Sequence, residues 1–159
     1  MEKILSRQKL KEEIDKLRRA SGKIVFTNGC FDLLHWGHTR YLREAKKLGD
    51  VLVLGLNSDA SVRAIKGDKR PLTPERERAE VMASLAAVDF VTIFEEETPL
   101  ELIEYLQPDI LVKGGDWEPG SVVGGDAVRK RGGRVVIIPL VENSSTTRII
   151  EKILKIHEE

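Results

Sequence analysis

The sequence predicts an α/β protein in which one parallel sheet of five strands carries helices on its faces. Three observations carry that prediction. Short apolar runs recur along the chain, helix-compatible stretches separate them, and polar segments come directly after several of the runs. At 159 residues the chain has the length of one compact domain with room for a core.

The opening segment reads as a helix: Ser6 caps it, Leu10, Ile14 and Leu17 recur at helical spacing, and Gly22 ends it. Its polar face is crowded with Lys, Arg and Glu, so it is expected to lie on the surface of the remaining chain. KIVFTN from Lys23, DVLVLGLN from Asp50, DFVTIF from Asp89, DILVKG from Asp109 and RVVIIP from Arg134 read as strands buried on both faces. Between them GHTRYLREAKKLG, PERERAEVMASLAAV, PLELIEYLQ and a weaker GGDAVRKRGG suit helices. Thr73-Pro74 and Thr98-Pro99 read as an N-cap followed by a first helical residue, and Thr98 with Glu101 makes a capping box. NSDASVRAIKGDKRPLT, after the second strand, reads as a polar segment. A last helix starts near Ser145 and runs through Ile149, Ile150, Ile153 and Leu154. Ligands of such sheets bind beyond the carboxyl ends of the strands, where the strand order reverses.

Composition narrows the function classes. Lys+Arg and Asp+Glu both number 26, so the formal net charge is +0 and gives no global attraction to nucleic acid. A hydrophobic share of 41% with 33% charged residues describes a globular chain rather than a disordered one. No apolar run is long enough to span a membrane, and the N-terminus lacks a signal-peptide core, so a cytoplasmic protein without a membrane partner is expected. The single cysteine, Cys30, fits that reducing compartment.

The segment after the first strand holds the most specific pattern. Asn28, Gly29 and Cys30 lead out of the strand, Phe31, Asp32, Leu33 and Leu34 come next, and His35-Trp36-Gly37-His38 opens a helix. Two histidines three residues apart at a helix start face one pocket. Gly37 leaves space for a ligand near the backbone, and the free N–H groups and partial positive charge of the helix tip favour a phosphate. Two other readings fit the same residues: a metal-ligand set of Cys30, His35 and His38 with Asp32, and a pair of packed core histidines. The phosphate loops GxxxxGK[ST] and GxGxxG are missing.

Further candidates fall after the other strands. Ser145 and Thr146 offer hydroxyls and N–H groups at the last helix's start, or Ser144 or Ser145 simply caps it. Lys46, about two turns beyond His38, is a phosphate ligand or part of a solvated face. Lys66 and Arg70 flank Gly67-Asp68 in a loop suited to closing over an anion, or in a plain surface loop. Asp32 and Asn57 suit sugar hydroxyls, whereas Asp59 suits a helix cap. Gly114 and Gly115 permit close backbone approach to a ligand, with Asp116 and Trp117 beside them. Glu95–Glu97 reads as a solvated turn, and His157 as a cation at a helix end.

GCFDLLHWGH resembles the GxFDxxHxGH signature of the cytidylyltransferase-like nucleotidyltransferases. The resemblance continues through AKKLGD, LNSDASV, KGDKRPLTPERER, VKGGDW and SSTTRII, over residues 22–156. It implies a Rossmann-like three-layer sandwich, with residues 1–21 an N-terminal helical extension and 22–159 the nucleotidyltransferase domain. Within the family these stretches are similar to the branch that transfers AMP from ATP to D-glycero-β-D-manno-heptose 1-phosphate, giving ADP-heptose and pyrophosphate. ATP as substrate, Mg²⁺, no resident metal site, a homodimer and a functional link to a heptose kinase are implied with it. The catalytic set would be His35, His38 and Lys46. Asn28, Gly29, Cys30, Phe31, Gly37, Gly114, Asp116, Ser145 and Thr146 would bind the nucleotide. Asp32, Asn57, Lys66, Arg78 and Trp117 would bind the acceptor, with Arg78 chosen over Arg76 by the resemblance alone. The alternative is a branch that uses CTP and glycerol 3-phosphate. Its last motif reads RTxGISTT where this chain has LVENSSTT, so Leu140 replaces an arginine and Asn143 a glycine.

Overall fold

A computed structural model describes residues 2–115 and 117–157. Its strands are β1 (Ile24–Gly29), β2 (Val51–Asn57), β3 (Phe90–Phe94), β4 (Ile110–Gly114) and β5 (Arg134–Ile138). They pair in parallel throughout, in the order β3-β2-β1-β4-β5. Parallel neighbours need crossovers, which are supplied by α2 (Trp36–Lys46), α3 (Asp59–Lys66), α4 (Glu75–Ala83), α5 (Leu100–Leu106) and α6 (Gly125–Lys130). The helices α1 (Arg7–Arg19) and α7 (Thr146–His157) flank this core at the two ends of the chain.

Side chains alternate across the sheet and build two cores. Ile24 and Phe26 of β1 pack on one face with Leu10 and Ile14 of α1, Leu102 and Leu106 of α5, and Val128 of α6. Val25 packs on the other with Tyr41, Leu42 and Ala45 of α2 and Ala79 and Met82 of α4. The expected three layers result from that alternation.

Several local expectations change. The opening helix is capped by Ser6, which accepts the Lys9 N–H at 3.3 Å, but Leu10 and Ile14 are fully buried, so α1 completes a core face rather than riding on it. Ahead of it, the Leu5 N–H donates to the Val91 carbonyl and the Val91 N–H to the Lys3 carbonyl, covering the outer edge of β3. The polar segment after β2 forms α3, with Ser58 rather than Asp59 as its cap; Ser58 Oγ accepts the Ser61 N–H at 3.1 Å. Pro74 and Pro99 sit at the N-cap positions of α4 and α5 instead of inside the first turn, and neither helix has a side-chain cap. The Thr73 N–H is drawn instead to the Asp32 carboxylate at 2.9 Å. No helix among the described residues is long and apolar enough to cross a membrane.

The order of the strands reverses direction between β1 and β4. Those two strands pair only at Val25–Ile110 and Phe26–Leu111 and then part towards their carboxyl ends. The Tyr41 hydroxyl spans the gap, donating to the Val112 carbonyl at 3.2 Å and standing 2.5 Å from Thr27 Oγ1, so the opening is held from within.

Candidate active site

His35 is the N-cap residue of α2, with extended backbone angles, and His38 lies within its first turn. Their rings stack at 3.7 Å between centroids and 26° between planes. The Phe31 ring leans on His38 from the other side, 5.0 Å away. Gly37 makes this arrangement possible. A Cβ there would stand 2.9 Å from Ser144 Oγ and 3.0 Å from the His35 ring. Its N–H donates to Ser144 Oγ at 3.1 Å, and that hydroxyl, with its own hydrogen still to place, lies 2.9 Å from His35 Nδ1. Having accepted from Gly37, that hydroxyl keeps one hydrogen and a second lone pair, so it holds the His35 ring in place with either tautomer.

Burial decides the charge of the pair. It lowers the His38 pKa to about 4, with the nearby His35 and Lys66 pushing the same way. Burial lowers that of His35 as well. Both rings are thus neutral at pH 7 in the free protein. Among the described residues His38 Nδ1 is buried without a hydrogen-bond partner. An orphaned buried nitrogen beside an open cavity marks a place for a ligand.

The cavity holds about 320 Å³ and opens at the carboxyl ends of β1 and β4. It brings together Asn28, Gly29, Cys30 and Phe31 from the end of β1, His35, Gly37 and His38 from α2, and Lys66 from the end of α3. Gly114 closes β4, and Ser145 and Thr146 open α7 on the same wall. Ser145 also caps α7, accepting the Arg148 N–H at 3.2 Å, and Thr146 Oγ1 donates to the Leu33 carbonyl at 3.2 Å. Burial raises the Cys30 thiol pKa, so this cysteine is small packing rather than an ionised sulfur.

Lys46 departs from the expectation. Its Nζ pairs with Asp89 at 2.6 Å and donates to the Asp50 carbonyl at 2.5 Å. Asp50 and Asp89 precede β2 and β3, so Lys46 lies at the amino edge of the sheet. Eight residues of helix, about 12 Å, carry it away from His38. Arg78 is buried and spends its donors inside the protein: Nε on the Thr73 carbonyl, Nη1 on those of Cys30 and Asn57, Nη2 on Asp59. It clamps the ends of β1 and β2 and is closed to an acceptor. Asn57, also buried, donates from Nδ2 to Ser61 Oγ at 2.9 Å and does not line the cavity.

Asp32 lines the cavity, but its oxygens are occupied by Arg70 Nε at 2.6 Å and by the N–H groups of Leu72 and Thr73. Burial opposes ionisation there, yet these donors outweigh it and lower the pKa. Sugar hydroxyls find no free oxygen on it. Trp117 is half exposed just beyond the lining residues, its ring 5.6 Å from the Lys113 ammonium. Asp116 lies outside the described residues.

Sequence reading missed Lys113, Tyr41 and Thr147 as lining residues, and took Ser144 only as a cap. Tyr41 comes three positions after His38 on one helix face, a spacing that could have signalled it. Lys113 ends β4 beside Gly114, and burial lowers its pKa. The zinc reading meets a geometric obstacle: nearly parallel stacked rings do not converge on one ion, and among the described residues no three His, Cys, Asp or Glu side chains gather as a ligand set.

Comparison with known proteins identifies the family. The chain belongs to the Cytidylyltransferase-like family, whose model matches residues 26–152. It is 57% identical over 157 residues to the Bifunctional protein HldE of Syntrophotalea carbinolica, covering 99% of this chain and 32% of that protein. The protein of the same description from Geobacter metallireducens is 60% identical over 147 residues, covering 92% and 30%. The chain thus spans about a third of the length of these curated relatives. Among solved structures, the lipopolysaccharide core biosynthesis protein of Thermoplasma volcanium matches with a TM-score of 0.63 and 29% identity, covering 77% of this chain and 99% of that one. A pantoate-beta-alanine ligase from Francisella tularensis, also at 0.63 but 16% identical, covers 100% of this chain and 79% of its own and shares the fold.

Proposed function

We propose that this chain transfers AMP from ATP to D-glycero-β-D-manno-heptose 1-phosphate, releasing pyrophosphate and giving ADP-heptose for the lipopolysaccharide core. The observation that carries this reading is the neutral histidine pair stacked at the tip of α2, with His38 Nδ1 unpartnered beside the cavity. The similarity to the HldE proteins across nearly the whole chain points to the same chemistry.

The acceptor brings its own nucleophile. A phosphate monoester has a second pKa near ~6, so at pH 7 it is mostly a dianion and needs no general base. One of its oxygens attacks the α-phosphorus, a P–O bond forms, and the bond to the β-phosphate oxygen breaks with its electron pair leaving on pyrophosphate. The protein has to bring two polyanions together and stabilise the charge around the α-phosphorus. His35 and His38 offer ring nitrogens, the start of α2 offers backbone N–H groups, and Ser145, Thr146, Lys66 and Lys113 line the same cavity. Mg²⁺ belongs with the triphosphate as its counter-ion. The positive charge that this chain's own groups bring to the cavity is that of Lys66, Arg70, Lys113 and the N–H dipoles of the α2 tip.

The CTP-using alternative shares the HWGH wording. Leu140 stands where that branch carries an arginine; its side chain lies 3.1 Å from a Cβ built on Gly114 and is 65% exposed at the cavity mouth. The missing arginine weakens the CTP reading. The likeness to the bifunctional HldE proteins, of which this chain spans about a third, supports a heptose kinase as the functional partner. A pyrophosphate-release screen of ATP and CTP against heptose 1-phosphate and glycerol 3-phosphate tests the reading. Turnover with ATP and the heptose is expected; turnover with CTP and glycerol 3-phosphate alone overturns it.

A further inference from the structure

Two arginines of the segment between α3 and α4 are used in opposite ways. Arg78 is wholly buried and meets four acceptors. The Arg70 side chain makes one contact, from Nε to the Asp32 carboxylate at 2.6 Å, and among the described residues Nη1 and Nη2 meet none. Arg70 nevertheless lines the cavity with its side chain only 15% exposed, while that of Asp32 is fully buried. A guanidinium held by Nε alone keeps its outer fork for a second anion.

The tether is built rather than incidental. Asp32 comes just after the end of β1, and the Leu72 and Thr73 N–H groups fix its remaining lone pairs. The same three bonds bind the loop to the cavity wall, so Arg70 is aimed before any ligand arrives. Lys66, at the end of α3, lines that wall too, and no carboxylate among the described residues pairs with it.

The position separates this cluster from the other phosphate donors. Arg70 and Lys66 arrive from the β2 side of the sheet, whereas Ser144 to Thr147 arrive from β5, at the far side of the β1–β4 opening. Transfer between two polyanions needs two donor sets flanking the reacting phosphorus. We propose that Arg70 grips the phosphomonoester of the acceptor, with Asp32 as the positioning residue that aims it, while the α2 tip and α7 start hold the ATP phosphates. This rests on the nucleotidyl-transfer reading and names the acceptor's subsite within it.

The test splits KM values by pyrophosphate release, varying acceptor and ATP in turn. Arg70→Ala is expected to raise the acceptor KM about 30-fold or more while the ATP KM stays within about twofold. Arg70→Lys keeps the charge but not the fork and falls between, at about 10-fold. Asp32→Asn is expected to raise the acceptor KM about 10-fold and to spare that of ATP. Should Asp32→Asn fail to fold, Arg70→Ala decides, since its side chain borders the cavity. An unchanged acceptor KM in Arg70→Ala, or an equal rise for ATP, overturns the assignment and leaves nucleotidyl transfer standing. If the wild type turns over a different phosphomonoester, the sugar assignment falls and the same KM split with that acceptor decides Arg70. A wild type inert with every acceptor overturns both.

Discussion

The two edges of the sheet handle charge in opposite ways. At the amino edge the charged side chains are satisfied by the strand beginnings. Lys46 bridges Asp89 and the Asp50 carbonyl, Asp89 accepts the Leu52 N–H at 2.7 Å, Asp50 accepts that of Lys23, and Asp109 accepts that of Ile24. At the carboxyl edge polar groups are left over: among the described residues His38 Nδ1 is orphaned and the outer fork of Arg70 is unengaged. Arg78 stands beneath that edge and supports it without reaching a ligand. A closed hydrogen-bond network fastens strands; an incomplete one, in a cavity that backbone glycines keep open, has capacity to bind.

The sharpest way to break this contrast is His38→Ala. It is expected to lower turnover about 10²–10³-fold, a loss of about 2.7–4 kcal/mol of transition-state stabilisation, while the melting temperature holds. Near-normal pyrophosphate release from that variant would count against the site. Gly37→Ala comes next. Its methyl group forces Ser144 and the His35 ring apart from contacts of 2.9 and 3.0 Å, and a misplacement of about 1 Å costs about 10²-fold in turnover. Steady-state rates, with circular dichroism as a check on folding, read this out.

Acid sharpens the comparison further. The His38 pKa is about 4 in the fold against an ordinary 6.5. Between those values the unfolded chain binds more protons, so stability is full above about pH 6.5 and is lost as pH falls towards about 4. Melting curves from pH 7 to 4.5 should therefore slope more steeply for the wild type than for His38→Asn, and equal slopes would remove the argument from burial. The smallest effect belongs to the amino edge. Lys46→Met should leave turnover unchanged and cost about 0.2–1 kcal/mol, because the pair with Asp89 is partly exposed. For a domain of this size that is about 0.4–4 °C in melting temperature, measurable by calorimetry. A collapse of turnover instead would return Lys46 to the catalytic set.

The sequence by itself determined the five strands, because runs such as DVLVLGLN are apolar on both faces and only a sheet covered on both sides buries them. It determined the His-x-Gly-His tip, since that spacing lies within one helical turn, while the distant Ser144 that holds Gly37 and the His35 ring was not legible there. It missed α3, a helix of only eight residues inside a stretch rich in charged and polar groups, with Ser58 supplying its start. Only the tertiary structure decided what the charged side chains do. Lys46, Asp32, Arg70 and Arg78 are all soluble-looking residues in the chain, and their roles depend on which carbonyl or carboxylate the fold delivers within about 3 Å. Local periodicity places a side chain on an element; its electrostatic partner comes from a different element, tens of residues away, and a linear pattern carries no record of that meeting.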